Sequence, residues 1–421
     1  MISNNIFSEL RSQFPALTKT VNGQPAVFFD GPAGTQVPQR VIDAMSQYLS
    51  NCNANHGGLF PTSYESDQML DAAHQAFADF VGGDDPGEVY FGQNMTSLTF
   101  ALSRAISRDW SSEDEIIVTR LDHDANVSPW VLAARDRGAT VRFVPFRADD
   151  CTLDVENLKE QLSERTRLVA VGCASNATGG VNPVREICQA ARKVGALTFL
   201  DAVHLGPHDL IDVKAFGCDF LACSAYKFFG PHIGIMWGKR ELLRSLSAYK
   251  VRPAPDDLPG KWMTGTQSHE SIAGAMAAVD YLADLGRAIQ PQQSLTRRQA
   301  LKLAFQSIRQ YENRLSRIML EKLTAVPGLK VWGITDPNRL EQRFPTFSIT
   351  INGLKPADIA QQLGDRGIFV WHGNYYALEF SEANNLEPSG MVRIGLVHYN
   401  TEDEIDRLIQ ELVVLNSPQI A

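Results

Sequence analysis

Lys227 stands in the segment Ser224-Ala-Tyr-Lys-Phe-Phe-Gly-Pro-His-Ile-Gly234, directly after the apolar run FLACS at 220–224. An amine placed just past a strand, in a stretch whose glycines permit tight turns, can attack a carbonyl carbon and later carry protons. A surface lysine in a loop would show the same letters, so the neighbours decide. Asp201 follows the run ALTFL at 196–200, in Asp-Ala-Val-His204; it either caps the next helix or offers a carboxylate to a cation. His123 follows EIIVT at 115–119, in Asp122-His-Asp-Ala-Asn126. Its ring can stack on a flat ligand or simply serve the core. Asn176, in Ala174-Ser-Asn-Ala-Thr-Gly179, follows RLVAVG at 167–172 and is also an ordinary turn residue. Gly92-Gln-Asn-Met-Thr-Ser97 precedes a helical run, where terminal amides and the Thr96 hydroxyl suit a phosphate or plain capping.

Each residue has a bland explanation, but their order at the ends of successive strands does not. The set meets the demands of pyridoxal 5′-phosphate (PLP) chemistry. That chemistry needs a lysine to form a Schiff base and move protons at Cα, and a carboxylate to keep the pyridine nitrogen protonated. It also needs a flat group against the ring, donors for the phosphate and a cation for the substrate carboxylate.

The elements that must position these groups read as alternating strands and helices. Besides the runs above, 140–145 (TVRFVP) and 233–237 (IGIMW) are strand candidates, and helices are expected over 71–81 and 183–194. Short apolar strands alternating with helices indicate an α/β fold with a mostly parallel sheet covered on both faces, whose ligands bind beyond the carboxyl ends of the strands. A long helical stretch follows from about 293 to 326. A smaller α+β unit then holds a strand at 346–352, a helix near 356–364, a strand at 392–396 and a last helix opened by a Thr401-x-x-Glu404 capping box. The expected organisation is an N-terminal segment 1–25, a large domain 26–286 and a small C-terminal domain 287–421.

The chain has 421 residues, 44% hydrophobic, so a large core is affordable and disorder is not expected. A net charge of −9 argues against a nucleic-acid partner. No apolar run reaches membrane-spanning length and no leader pattern opens the chain, so a cytoplasmic protein is expected. The six cysteines, Cys52, Cys151, Cys173, Cys188, Cys218 and Cys223, form no CxxC pair. His204 and His208 are four apart, but Gly206-Pro207 between them breaks a helix, and no metal site is expected.

The chain resembles the class V aminotransferase family of fold-type I PLP enzymes, specifically its cysteine desulfurase-like branch. The resemblance runs from Phe29-Asp-Gly-Pro-Ala-Gly34 to Arg393 and Asn400-Thr401. It implies a large domain built on a seven-stranded sheet. Lys227 is then the Schiff-base lysine, Ser224, Met95 (through its amide) and Thr96 serve the phosphate, and His123 stacks on the ring. Asp201 faces the pyridine nitrogen and Asn176 the ring oxygen. Thr266, in Gly265-Thr-Gln267, reaches a neighbouring subunit's phosphate site, which implies a homodimer with shared sites. Arg393 clamps an amino-acid carboxylate, and Asn55 and His56 form a substrate-side loop.

This chain departs from that pattern at three places. Tyr226 stands where the branch has His before the lysine; its hydroxyl can still donate to phosphate. His204 replaces a common Gln and can bond the ring oxygen or titrate. The loop that carries the desulfurase nucleophile reads Val370-Trp-His-Gly-Asn-Tyr-Tyr-Ala377, with Tyr376 at the cysteine position and no cysteine after Cys223. The expected activity is therefore a carbon–sulfur lyase that works by Cα deprotonation and β-elimination. An aminotransferase or epimerase is one alternative, a desulfurase with another acceptor thiol (Cys52 alone being a candidate) the second, and a non-catalytic scaffold the third.

Overall fold

The computed structural model describes residues 5–416. Its main sheet contains β1 (Val89–Gly92), β2 (Glu115–Thr119), β3 (Thr140–Val144), β4 (Thr166–Gly172), β5 (Leu197–Asp201), β6 (Phe220–Ser224) and β7 (Gly234–Gly238), in the order β1-β7-β6-β5-β4-β2-β3. The pairs from β6 across to β3 are parallel, while β7 runs antiparallel to both β6 and β1. Every residue of β2, β6 and β7 is buried. Continuous burial explains why these strands are apolar throughout: each face of the sheet carries its own core cluster. The β4–β5–β6 register sets Gly172 beside Asp201 and Asp201 beside Ala222, so the polar residues after these strands come together at one edge.

The helices used below are α1 (Pro61–Val81), α2 (Met95–Ile106), α3 (His269–Ile289), α4 (Arg297–Thr324) and α5 (Glu402–Asn416). Helix α1 begins ten residues before the expected start at 71. Its first turns bury Ser63 and Ser66, whose hydroxyls bond the carbonyls of Asn55 (2.7 Å) and Ala54 (2.9 Å), so no apolar stripe announces them. The four-residue strand β1 was likewise too short to read as a period. Helix α5 opens with the expected capping box: the Thr401 N–H donates to Glu404 (3.1 Å) and the Glu404 N–H to the Thr401 hydroxyl (3.3 Å).

A second sheet holds β8 (Leu329–Trp332), β9 (Thr346–Ile351), β10 (Trp371–Gly373) and β11 (Met391–Gly395), antiparallel in the order β8-β9-β11-β10. Its core includes Val27 and Phe29, and Val27–Phe28 pairs parallel with Ile368–Phe369. Phe7, Leu10 and Phe14 of the N-terminal segment pack into the main core. Gly286 lies inside α3. A Cβ there would stand 1.8 Å from the Ala300 carbonyl oxygen, so glycine is what lets α3 and α4 touch backbone to backbone.

Candidate active site

A cavity of about 510 Å³ opens at the carboxyl ends of β4, β5 and β6 and is closed on its far side by Arg393 and the 371–376 loop. Lys227 ends a single turn, Ala225–Lys227, after β6. Its Nζ donates to the carbonyls of Pro32 and of Ala33 (3.1 Å). Burial, aided by the Arg393 charge and opposed by Asp201, lowers its pKa to about 7. Near neutral pH the amine is therefore substantially unprotonated, the form able to attack a carbonyl or accept a proton.

Two carboxylates lie behind it. Asp201 accepts from the Val203 N–H (2.8 Å), yet burial raises its pKa to about 6. Asp122 is the residue the sequence reading passed over, although it stands next to His123 in a segment already singled out. It accepts from the Gly172 N–H (2.9 Å) and from Asn126 Nδ2 (2.9 Å). Burial, with the nearby Asp201 charge, raises its pKa to about 7. A Cβ on Gly172 would sit 2.8 Å from the Asp122 carboxylate, so this contact also requires glycine. Buried carboxyls with raised pKa values are ready to stabilise a cationic ring nitrogen.

His123 accepts from the Ala125 N–H through Nδ1 at 3.0 Å, which leaves the proton of the neutral ring on Nε2. Burial, followed by the Lys227 and Arg393 charges, lowers its pKa to about 4. A neutral imidazole lines the cavity, as stacking on a flat electron-poor ring requires. On the β6 side, the Met95 N–H donates to the Ser224 hydroxyl (3.0 Å), and Asn94 caps α2 by accepting from the Ser97 N–H (2.9 Å). Asn94, Met95, Thr96, Ser224 and Tyr226 all face the cavity, with the positive end of the α2 dipole behind them. The Tyr226 ring stacks on His232 at 4.8 Å.

The second unit supplies the opposite wall. Arg393, on β11 and buried, donates to the Asn176 carbonyl (3.0 Å) and lies over the Tyr375 ring at 4.2 Å. Burial lowers its pKa to about 10, so it remains a cation at neutral pH. Asn176 Nδ2 donates to the Tyr375 carbonyl (2.9 Å), and the Asp124 N–H donates to the Tyr376 carbonyl (2.7 Å). These bonds hold two consecutive residues, Tyr375 (φ 56°) and Tyr376 (φ 60°), in left-handed backbone that tyrosine rarely adopts. The Tyr376 ring lies against His123, with centroids 5.3 Å apart.

The structure brings together Lys227, Asp201, His123, Asn176, His204, Ser224, Tyr226, Met95, Thr96, Tyr376 and Arg393 around one cavity. It does not bring Asn55, His56 or Thr266 there. His56 and Thr266 line a separate cavity of about 620 Å³, and the Asn55 carbonyl is taken by Ser63. None of the six cysteines lines the first cavity: five are buried elsewhere, and Cys52 ends the helix Gln39–Asn51. The residues present fit PLP. Asn176 Oδ1 and His204 Nε2 are buried without partners beside the cavity, and the lysine, the paired carboxylates and the helix terminus match the cofactor's aldehyde, pyridine and phosphate chemistry.

Comparison with known proteins gives the family and the fold. The model of the family described as aminotransferase class-V matches residues 27–408. A probable cysteine desulfurase from Synechocystis sp. is 30% identical over 423 residues, covering 97% of this chain and 95% of its own. A cysteine desulfurase from Pectobacterium carotovorum is 31% identical over 418 residues, with 96% of each chain covered. Among solved structures, the apo cysteine desulfurase of Thermococcus onnurineus superposes with a TM-score of 0.85 at 24% identity over 97% of each chain. A C-DES mutant with glycine covalently linked to its PLP cofactor gives 0.77 at 19% identity, over 96% of this chain and 98% of its own.

Proposed function

Because the chain belongs to the class V aminotransferase family, a PLP-dependent enzyme with cysteine desulfurase-like architecture, we propose that it is a carbon–sulfur lyase that cleaves cysteine or a related β-substituted amino acid by elimination. The observation that carries this reading is the composition of the cavity. It holds the complete amine, carboxylate and cation set, but Tyr376 stands where the resemblance expects the nucleophilic thiol, and no cysteine lines the wall. Without a thiol to take sulfur from the substrate, the sulfur must leave with its bonding electrons.

Bound PLP supplies the electron-withdrawing ring that makes the substrate Cα–H acidic. The chain's residues do the rest. Arg393 holds the substrate carboxylate and thereby fixes which bonds at Cα face the ring. Lys227, with its amine near half-neutral at pH 7, accepts the Cα proton. The Cβ–S bond then breaks, the electron pair leaves with sulfur, and one water completes the release of pyruvate, ammonia and sulfide from cysteine. Neutral His123 and the pinned Tyr375–Tyr376 turn shield the reacting face from bulk water. We place Thr266, His56 and Asn55 at a neighbouring subunit's site in a homodimer, which accounts for their position outside this chain's own cavity.

The test is a product assay of PLP-loaded protein with L-cysteine, quantifying alanine against pyruvate. Pyruvate with sulfide supports elimination. Alanine with a protein-bound persulfide would refute it and direct attention to Cys52. Neither product from any β-substituted amino acid would leave transamination or epimerisation as the chemistry.

A further inference from the structure

A second polar cluster is buried behind the cavity wall, and the steps above do not use it. His204, three residues past Asp201, reaches the cavity. The ring of His208 lies 5.4 Å from it, tilted 72°. His208 Nδ1 is 2.9 Å from Glu312 Oε2 on α4. The three residues are 4%, 1% and 0% exposed, so no bulk water shares in their bonding. Phe344 closes the cluster, stacked on His208 at 5.0 Å and 6.2 Å from His204.

A carboxyl at this depth is costly unless it is bonded. Glu312 bonds His208 through one oxygen, while its other oxygen has no partner. A single proton between Nδ1 and Oε2 satisfies both groups and fixes the orientation of the His208 ring, as a buried carboxylate does for any histidine it holds. The edge of that ring packs against His204, whose Nε2 is sealed without a partner. The groups that face His204 are the Lys227 amine, after β6, and the Arg393 cation, on β11, together with His208 from the same loop. Asp201 precedes it at the end of β5, and Glu312 on α4 stands behind His208. A positive charge on His204 would meet the Arg393 cation, and that of Lys227 whenever its amine is protonated, in a dry site.

We propose that His204 is a cofactor-facing residue that acts as a neutral hydrogen-bonding imidazole, and that His208 and Glu312 are the positioning residues that hold its ring in place. This rests on the cavity being the PLP site. The readout below needs no substrate, so it stands or falls separately from the elimination chemistry.

The experiment is a pH titration of the visible absorption of the PLP-loaded full chain. A ring nitrogen offered to the cofactor changes how tightly the cofactor-bound lysine nitrogen holds its proton. His204→Leu is expected to move the titration midpoint by about one unit. Glu312→Leu should move it in the same direction by at least about half a unit. Glu312→Gln, whose amide oxygen still accepts from His208 Nδ1, should return it close to the parent value. The double variant His204→Leu/Glu312→Leu should match His204→Leu alone, because the carboxylate acts only through His204. An unmoved midpoint in His204→Leu would overturn the proposal. So would a Glu312→Leu shift that simply adds to that of His204→Leu, since this would mark general loosening. Where Glu312→Leu fails to fold, His208→Gln takes its place with the same two outcomes.

Discussion

The lysine amine provides the most quantitative consequence of the site. Lys227 is expected to titrate near pH 7 in the apoprotein, because burial and the Arg393 cation penalise its charged form more than Asp201 favours it. At pH 7 about half of the amines are then neutral, against roughly one in 3,000 for a lysine with an ordinary pKa near 10.5. The geometry thus increases the reactive form on the order of a thousandfold. Limiting amounts of acetic anhydride, with an added free amine as internal standard and peptide mass spectrometry as readout, report the neutral fraction directly and without PLP, whose own titrations would interfere. Labelling of Lys227 should be about fivefold weaker at pH 6 than at pH 7 and nearly level by about pH 8. Two variants separate the causes: Arg393→Gln removes a cation and should move the midpoint up, whereas Asp201→Asn removes an anion and should move it down. A midpoint above about pH 9, or movement of both variants in one direction, would refute this account of the site's electrostatics.

Other consequences test the substrate clamp and the fold. Arg393→Gln should raise KM for the amino acid by about 10- to 100-fold, the worth of a charge-assisted bond to a carboxylate, with the PLP stoichiometry retained; steady-state kinetics with a cofactor assay decides this. Gly286→Ala should destabilise by about 1–3 kcal/mol or more, since its Cβ would meet the Ala300 carbonyl at 1.8 Å and α3 and α4 would have to separate. Calorimetry should show a lower Tm, and an unchanged Tm would mean that the two helices yield easily.

The wall of the site that the main sheet supplies could be read from the chain because it obeys a local rule. Lys227, Asp201, His123 and Asn176 each follow a short apolar strand, and parallel strands bring their carboxyl ends to one edge. The resemblance added Arg393, which comes from a distant strand that no local pattern connects to Lys227. Asp122 was missed because an acid beside a histidine looks like ordinary loop polarity; only its bond to the Gly172 amide shows that it is inside. The His208–Glu312 contact spans 104 residues, from the loop after β5 to the middle of α4, so no spacing in the chain announces it. Thr266, expected at a neighbouring subunit's phosphate site, and His56, expected in a substrate-side loop, both line another cavity of this chain, and no local pattern in the sequence says which cavity a loop residue will line.

Asp122 offers a test of burial in which the sign is diagnostic. Its folded pKa is raised to about 7 from an ordinary value of 3.8, so across this interval the folded state binds more protons than the unfolded state. Stability from this group is therefore fully present below about pH 4 and is lost as pH rises through about 7. This is the reverse of the behaviour of an ion-paired aspartate such as Asp114, whose pKa the chain lowers. Asp122→Asn removes the titration, so the variant's stability minus that of the parent should climb between about pH 4 and pH 7 and then level, with a ceiling of about 4 kcal/mol. Only the slope is informative, because the amide also changes the bonds to Gly172 and Asn126 by a constant amount. Urea unfolding of the two apoproteins at several pH values measures that slope. A flat difference would mean that Asp122 is ionised and well solvated in the apoprotein, and a falling one that it is held as a paired anion. Either result would leave Asp201 as the one carboxyl of the pair whose burial raises its pKa.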